Sequence, residues 1–260
     1  KDNLISYASA IESILAHRFI KNIKKKNYNV VLAIDWFENQ INDRGWNNGF
    51  HVFYPEIETK GYRGLIPSDI LLSEMYPTKD EKNNKMLPKK ICVIGKGLIN
   101  EIKKYDKSLN IDLAPAFRFQ HIWDKKYKPS TKKFVIFIAL PINFNDSLFI
   151  LNLILDSLNS LIKENVFIYI KPHPTVPITE IKKNINRNIP NEIKIIEGNT
   201  ENIILKANLL ISGMSSICLE AIALGLPLLI IENNKKLNYR TIPKGISIDL
   251  YKYCTNQKEL

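Results

Sequence analysis

Residues 209–231 read LLISGMSSICLEAIALGLPLLII, and this stretch decides the fold. The apolar run Leu209–Ile211 predicts a strand, and the turn Ser212–Ser216 follows it. The next residues predict a helix that closes at Gly225, because glycine is the usual residue just past a helix C-terminus. A second apolar run, Pro227–Ile231, predicts another strand. Strand, turn, helix and strand in this order predict a βαβ unit with parallel strands.

The same alternation extends back to residue 134. FVIFIAL at Phe134–Leu140 and VFIYI at Val166–Ile170 are continuous apolar runs, typical of strands in a parallel sheet that is covered on both faces. Further predicted elements are helices at Asp146–Lys163, Ile178–Ile185, Thr200–Lys206 and Ser215–Leu224, a strand at Ile193–Ile196, and Pro227–Ile231 as the last strand. The sequence therefore predicts a doubly wound Rossmann-like α/β domain over residues 131–260.

The first half predicts a second, less regular α/β domain over residues 1–130. Ile5–Ile23 has the apolar spacing of a helix, and Asn29–Asp35 (NVVLAID) and Lys89–Gly95 (KKICVIG) predict buried strands. The polar stretch Lys125–Lys133 contains a proline and predicts a linker between the two domains. We expect this domain to lack its beginning, because the chain starts at Lys1 rather than at a methionine.

Composition excludes several classes of protein. No apolar run reaches the roughly 18 residues that a membrane span needs. The three cysteines lie far apart, and no Asp-x-Asp pair or His/Cys/Asp cluster has metal-ligand spacing, so we predict no metal and no cofactor. The net charge of +11 comes from scattered lysines without an aromatic-basic platform, which predicts no nucleic-acid partner. We expect a cytoplasmic protein, with peripheral contact to an anionic inner membrane left open.

Two polar motifs follow predicted strands, where ligands bind in open parallel sheets. The first is Lys171-Pro172-His173-Pro174, in which prolines restrain the backbone around a cation and an imidazole that suit a phosphate. The second is Ser212-Gly213-Met214-Ser215-Ser216, which opens a helix whose N-terminus favours an anion. Each has a structural alternative: a rigid loop with a solvated lysine for the first, and simple helix capping by serine for the second.

The two motifs together resemble the C-terminal domain of bacterial surface-polysaccharide glycosyltransferases of GT-B type. KPHP, and then SGMSSICLEAIALGLPLLIIE about 40 residues later, is most similar to CMP-sugar-using Kdo, sialyl- and polysialyltransferases with their HP and Ser-Ser motifs. CDP-glycerol polymerases share a similar pair. In the first half, Trp36–Gln40 and Lys60–Gly64 resemble the W-E-N-Q and G-Y-Q-H motifs of surface-carbohydrate biosynthesis proteins. Arg63 replaces the Gln and Gly64 the His of that pattern, and the acidic motif of sialyltransferases is absent.

This resemblance implies two Rossmann-like domains with parallel sheets facing a cleft. It implies that Lys171, His173 and Pro174 bind the donor, together with the turn residues Ser212, Gly213, Ser215 and Ser216. His173 would contact the donor phosphate and help the nucleotide leave, and Glu220, one turn into the helix, would hold the ribose.

The acceptor hydroxyl still needs a base. Glu38 is the first candidate and Asp35 the second, because both lie at or just past the end of a predicted strand. The alternative is that Asp35 caps a helix and Glu38 is solvated. Trp36 and Trp46 are candidates to stack on a sugar or base, with core packing as the alternative.

The sequence thus predicts a metal-independent glycosyltransferase. It would move a sugar from a nucleotide-activated donor, with a CMP-sugar favoured, to a saccharide or lipid-linked acceptor of a surface polysaccharide or lipopolysaccharide. Two alternatives stay open. One is another enzyme of the same fold, such as a nucleotide-sugar 2-epimerase or a CDP-glycerol-type glycerophosphotransferase. The other is a non-catalytic nucleotide-sugar-binding module.

Overall fold

The computed structural model describes most of the chain in two compact units, Lys1–Arg118 and Phe119–Leu260. We call them unit 1 and unit 2. The described residues are 2–66, 76–161, 165–185, 187–198, 201–235, 237–238, 242–243 and 245–260.

Unit 2 is built on a six-stranded parallel sheet in the order β10-β9-β8-β5-β6-β7. Its strands are β5 Phe134–Ala139, β6 Val166–Lys171, β7 Ile193–Ile195, β8 Leu209–Ser212, β9 Leu228–Ile231 and β10 Tyr251–Cys254. Its helices are α5 Gln120–Trp123, α6 Phe144–Asp156, α7 Leu158–Leu161, α8 Ile178–Asn184, α9 Glu201–Ile204 and α10 Ile217–Leu224. The predicted alternation of strands and helices over this half is confirmed.

Apolar side chains of β5 enter two separate cores. Ile136 and Ile138 pack in the cluster that contains the buried face of α6. Phe137 points the other way, into the cluster that contains Cys218 and Ala221 of α10. Successive residues of a strand face opposite sides of a sheet, so both faces of β5 are covered, as its continuous apolar sequence predicts.

The strand order reverses direction between β5 and β8. From β5 the chain adds β6 and β7 on one side, and then returns to place β8, β9 and β10 on the other. Such a switch point leaves a crevice at the carboxyl ends of the two strands, which is where open α/β sheets bind ligands.

The prediction that Pro227–Ile231 is the last strand is wrong. Tyr251–Cys254 adds a tenth strand, parallel to β9, with Tyr251 opposite Leu228. Its sequence, YKYC, is short and interrupted by a lysine, so it carries no strong apolar run. Thr200 at the start of one predicted helix and residues 162–163 at the end of another lie outside the described residues.

The predicted linker, Lys125–Lys133, is held to unit 2. The backbone N–H of Lys128 donates to the carbonyl of Leu205 at 3.1 Å, and that of Ser130 to the carbonyl of Lys206 at 3.0 Å. These hydrogen bonds tie the stretch to the segment between α9 and β8. Unit 2 begins at Phe119, before this stretch.

Unit 1 contains a four-stranded parallel sheet in the order β1-β2-β3-β4. Its strands are β1 Leu32–Trp36, β2 Glu58–Arg63, β3 Lys90–Val93 and β4 Ile111–Leu113. Its helices are α1 Asp2–Lys25, α2 Ile41–Phe53, α3 Lys79–Asn83 and α4 Gly97–Ile102, and a 3-10 turn covers Phe117–Phe119. The predicted first helix and the predicted strand at Lys89–Gly95 are confirmed in these positions.

The prediction that NVVLAID is a buried strand is only half right. The strand begins at Leu32, and Ala33 packs into the core beneath α1 and α2, with Val30 partly buried against it. Ile34, on the other face, is 59% exposed. β1 is the edge of the described sheet, and no described element covers that face, so hydrophobic sequence alone overstated its burial.

No helix within the described residues combines the length and the apolar character needed to cross a bilayer.

Candidate functional site

The ends of β6 and β8 lie level with each other at the switch point. Ala139, the last residue of β5, is the register partner of Lys171 on one side and of Ser212 on the other. Adjacent strands are about 4.8 Å apart, so the backbones at Lys171 and Ser212 are separated by about 10 Å. The register therefore brings the two motifs predicted from sequence, KPHP and SGMSS, to one edge of one sheet.

Hydrogen bonds to Nδ1 of His173 leave Nε2 as the ring nitrogen that donates. Its Nδ1 lies 2.8 Å from Thr175 Oγ1 and also accepts from the backbone N–H of Thr175 at 3.3 Å. Because Nδ1 accepts, the proton of the neutral imidazole is on Nε2. Burial and the nearby positive charge of Lys171 both lower the pKa of His173. Pro174 is exposed beside the imidazole and restrains the backbone of this turn.

Lys171 reaches across the next strand. Its Nζ donates to the carbonyl oxygen of Gly198, which follows β7 and has a positive φ of 82°. An ammonium group has three N–H donors, so this contact leaves capacity for an anion. The lysine links the end of β6 to the loop after β7.

Ser212 and Gly213 support the turn from inside. Ser212 is fully buried, and its hydroxyl donates to the carbonyl of Ala139 at 2.7 Å, which ties β8 to β5. A Cβ on Gly213 would lie 3.0 Å from Ile150 Cδ1 and 3.2 Å from Pro141 Cγ. Gly213 is thus required for close packing, and the hydroxyl of Ser212 is engaged within the sheet.

The helix that follows the turn begins at Ile217, two residues later than predicted. Ser216 occupies the N-cap position in helical conformation, with φ −62° and ψ −21°, and its side chain makes no capping hydrogen bond. Within the described part of the chain, neither the backbone N–H of Ser215 nor that of Ile217 donates a hydrogen bond to another backbone group. These N–H groups stand at the positive end of the helix dipole and suit an oxyanion.

Glu220 has a partner that sequence reasoning missed. Its Oε2 lies 3.0 Å from Nε2 of His121, which belongs to α5. The glutamate side chain is 17% exposed and the histidine 37%. No local pattern indicates this pair, because the two residues are 99 positions apart.

In unit 1, Asp35 lies in a sheltered polar cluster. Oδ2 of Asp35 accepts from Nδ2 of Asn47 at 3.1 Å, and the same amide group donates to the carbonyl of Asp43 at 2.9 Å. Burial, and then the negative charge of Asp43, raise the pKa of Asp35 to about 7, against the opposing effect of the Asn47 hydrogen bond. Asn47 is fully buried, and its Oδ1 has no partner among the described residues.

Glu38 is engaged in a loop. One carboxylate oxygen accepts from Nε1 of Trp36 at 2.6 Å, and the other from Nε2 of Gln40 at 2.9 Å. The carboxylate of Asp43 accepts from the backbone N–H groups of Glu38 and Gln40, both at 3.0 Å. Both oxygens of Glu38 therefore hold the loop between β1 and α2.

The two tryptophans near this loop have different environments. Trp46 stacks on Phe19 with ring centroids 6.4 Å apart and contacts Phe50 edge-on at 5.0 Å, so it packs within unit 1. Trp36 is 47% exposed and lies beside Tyr62, with centroids 5.5 Å apart. Only Trp36 is placed to contact a ligand.

The sequence matches no known protein family and no curated protein. Solved structures do match. The S. aureus MnaA–UDP co-structure aligns over 97% of this chain and 70% of its own, with 14% identity and a TM-score of 0.62. The GtfA/B complex aligns over 84% of this chain and 45% of its own, with 11% identity and a TM-score of 0.51. A Listeria monocytogenes protein named as a UDP-N-acetylglucosamine 2-epimerase aligns over 94% and 66%, with 16% identity and a TM-score of 0.48.

These similarities concern the fold, because the identities are low. The two matches with TM-scores above 0.5 agree with the two parallel sheets, and they confirm the prediction of a GT-B-like α/β architecture. The chain is shorter than each of these proteins, and it spans less than half of the chain compared in the GtfA/B complex.

Proposed function

We propose that unit 2 binds a nucleotide-sugar donor at the carboxyl ends of β6 and β8, and that the protein is a glycosyltransferase. The observation that carries the proposal is the shared register of Lys171 and Ser212 on Ala139. It brings a cation, an imidazole N–H and a helix N-terminus to the switch point of one sheet, and each of these groups stabilises an anion. A nucleoside diphosphate or monophosphate supplies that anion.

The groups at this edge suit departure of a nucleotide. As the bond to the sugar breaks, negative charge grows on the phosphate oxygens. Nε2–H of His173 and the N–H groups of Ser215 and Ile217 are donors fixed in place before the reaction, so they stabilise the charge without reorganisation. Lys171 adds a full positive charge. In this proposal Glu220 binds the ribose, and His121 holds its carboxylate.

Asp35 is a better candidate for the base than Glu38, which sequence reasoning ranked first. A general base works best when its pKa is close to the working pH, and burial raises the pKa of Asp35 to about 7. Both oxygens of Glu38 are already occupied by Trp36 and Gln40. We therefore assign proton removal from the acceptor hydroxyl to Asp35, and orientation of the Trp36 indole to Glu38.

The nucleotide and the sugar are proposals from the resemblance of the two motifs. CMP-sugars of Kdo or sialic acid are the first candidates, with a surface polysaccharide or lipopolysaccharide acceptor. UDP is the second candidate nucleotide, because the S. aureus MnaA structure of similar fold was determined with UDP. Peripheral contact with an anionic membrane belongs to the same proposal.

Nucleotide binding tests the donor site directly. A nucleotide that binds only the native state raises the melting temperature, so CMP, CDP, UDP and GDP are compared on the whole chain by thermal shift. We expect at least one to stabilise the protein, and Lys171→Ala to remove most of that shift. Lys194→Ala is the matched control, because it removes an exposed lysine from the neighbouring strand β7. No shift with any nucleotide, or an equal loss in both variants, contradicts the proposed site.

One observation favours a second reaction, epimerisation at C2 of the donor sugar. An epimerase must take a proton and return one near neutral pH, and the raised pKa of Asp35 suits that task without any acceptor. Proton NMR of UDP-N-acetylglucosamine incubated with the chain separates the two. Appearance of the 2-epimer without acceptor supports epimerisation, whereas sugar transfer that needs an added acceptor supports the glycosyltransferase.

A further inference from the structure

A cavity of about 330 Å³ opens next to the anion-binding turn of unit 2. It lies beyond the carboxyl ends of β5, β8 and β9, between α6 and the loop after β9. Gly213 and Met214 belong both to the turn and to the cavity wall, so the cavity continues the site described above on the side away from His173.

The cavity has an apolar floor. Phe149 and Ile150 of α6, Met214 after β8 and Ile231 at the end of β9 line it. Its volume lies within the range of small-molecule sites, and such sites combine apolar walls with a few placed polar groups.

Two asparagines at the rim present N–H donors. Oδ1 of Asn143 accepts from the backbone N–H of Asp146 at 3.1 Å, because Asn143 is the N-cap of α6. Oδ1 of Asn233 accepts from the backbone N–H of Lys235 at 3.1 Å. Each amide oxygen is held by the backbone N–H of a residue two or three positions further along the chain. This hydrogen bond fixes the orientation of the amide group and leaves Nδ2 outside it. In the part of the chain that the structure describes, neither Nδ2 has an acceptor.

We propose that this cavity receives the sugar ring of the donor, with its hydroxyl oxygens accepting from the amides of Asn143 and Asn233. The inference rests on the proposed function, because the nucleotide phosphate must first lie on the N–H groups of Ser215 and Ile217. The phosphate joins the nucleoside to the sugar, so these two parts of the donor extend from it in opposite directions. The nucleoside then lies toward His173 and the loop after β7, and the sugar lies toward β9.

A pyranose ring suits this lining. The ring has apolar C–H faces for the floor, and its hydroxyl and ring oxygens accept from N–H donors. The pyrimidine edge places a donor, N3–H in uracil or the N4 amino group in cytosine, beside its carbonyl acceptor. The amide oxygens of Asn143 and Asn233 are already engaged with backbone N–H groups, and the carboxylate of Asp146 also lines the cavity.

The substitutions Asn143→Asp and Asn233→Asp test the assignment. Aspartate keeps the oxygen that caps the backbone, so the local fold is preserved, but it removes the N–H donors. Asn256→Asp is the matched control, since Oδ1 of Asn256 accepts from the backbone N–H of Lys258 in the same way and lies outside the cavity lining. Melting temperatures of all three variants verify folding.

Calorimetry on the whole chain compares UDP-N-acetylglucosamine with UDP, and CMP-N-acetylneuraminic acid with CMP. The quantity measured is the ratio of the two affinities within each pair, which reduces the contribution of repulsion between the new carboxylate and the phosphate. We expect each cavity variant to lower that ratio at least fivefold for the donor that binds, and Asn256→Asp to leave it within twofold.

Three results overturn the inference. An unchanged ratio with a large loss of nucleotide affinity shows that the cavity holds the nucleoside. An unchanged ratio with unchanged affinities shows that the donor does not enter the cavity. Failure of the unsubstituted chain to bind any of the four ligands is different, because it refutes the proposed donor site itself and removes the basis of the inference.

Discussion

Replacing Asp35 by asparagine should make unit 1 more stable above neutral pH. The substitution keeps the shape of the side chain and an oxygen that accepts from Asn47, and it removes the ionisable group. Burial of Asp35 beside Asp43 penalises the charged form, so the native protein holds a proton on this carboxyl that the unfolded chain releases.

The size of the effect follows from the pKa. The shift from 3.8 to about 7 corresponds to about 4 kcal/mol at 1.36 kcal/mol per unit. Between these two values the native state binds more protons than the unfolded state, so wild-type stability falls as the pH rises from about 4 to about 7. Asp35→Asn removes this dependence. The variant should match wild type at pH 4 and exceed it by up to about 4 kcal/mol at pH 8.

Tryptophan fluorescence can follow unit 1 alone. Trp36 and Trp46 lie in unit 1 and Trp123 in unit 2, so a Trp123→Phe background leaves only reporters of unit 1. Urea unfolding of this background, with and without Asp35→Asn, is measured at pH 4, 6 and 8. Comparison within one unit matters because a chain of two units need not unfold in one transition.

The control substitution, Asp112→Asn, should change the pH dependence of stability in the opposite direction. Asp112 is exposed, and the backbone N–H of Leu113 and the ammonium of Lys90 lower its pKa. Stability from such a carboxylate is lost as the pH falls, so Asp112→Asn should weaken the protein at pH 8 more than at pH 4. If Asp35→Asn gives no gain at pH 8 over pH 4, Asp35 ionises like an ordinary carboxyl group, and both the reasoning and its role as base are refuted.

Three further predictions concern unit 2. Gly213→Ala should destabilise it by about 1 kcal/mol in chemical denaturation, because the new Cβ meets two side chains at 3.0–3.2 Å. Gly95→Ala in unit 1, where a Cβ meets nothing within 4 Å, should leave the unfolding of unit 1 unchanged. Lys171→Gln should raise the pKa of His173, because the positive charge of Lys171 lowers that pKa in the native protein. NMR titration of the His173 ring measures the change, and an unchanged pKa would refute the placement of Lys171 beside His173. The thiol of Cys218, whose pKa burial raises to about 12, should resist a disulfide reagent in the native protein and react only on unfolding.

The sequence predicts most of unit 2 because its strands are buried on both faces. Phe134–Leu140 and Val166–Ile170 are continuous apolar runs, which are typical of parallel strands covered on both faces. Tyr251–Cys254 escaped prediction since an edge strand is stabilised by its pairing with β9, which local sequence does not reveal. The opposite error occurred at Asn29–Asp35, where an apolar sequence lies at the edge of the described sheet and stays half exposed.

The sequence could predict those site residues whose place depends on the backbone alone. It could not predict those whose role depends on side-chain partners. Lys171 and His173 follow a strand end, so their place at the edge of the sheet could be predicted. The pairing of Glu220 with His121 depends on a contact across 99 residues, and nothing near either residue indicates it. The order of Asp35 and Glu38 as bases depends on burial and on hydrogen-bond partners, which appear only in the folded chain.

The most direct test of the donor site is a map of nucleotide-induced changes in backbone amide NMR signals of the whole chain. The nucleotide that gives the largest thermal shift is titrated against the labelled protein. The account predicts that the largest changes fall on residues 171–175 and 212–217, with saturation at one equivalent. Changes confined to residues of unit 1, or changes spread without preference over the surface of unit 2, would contradict it.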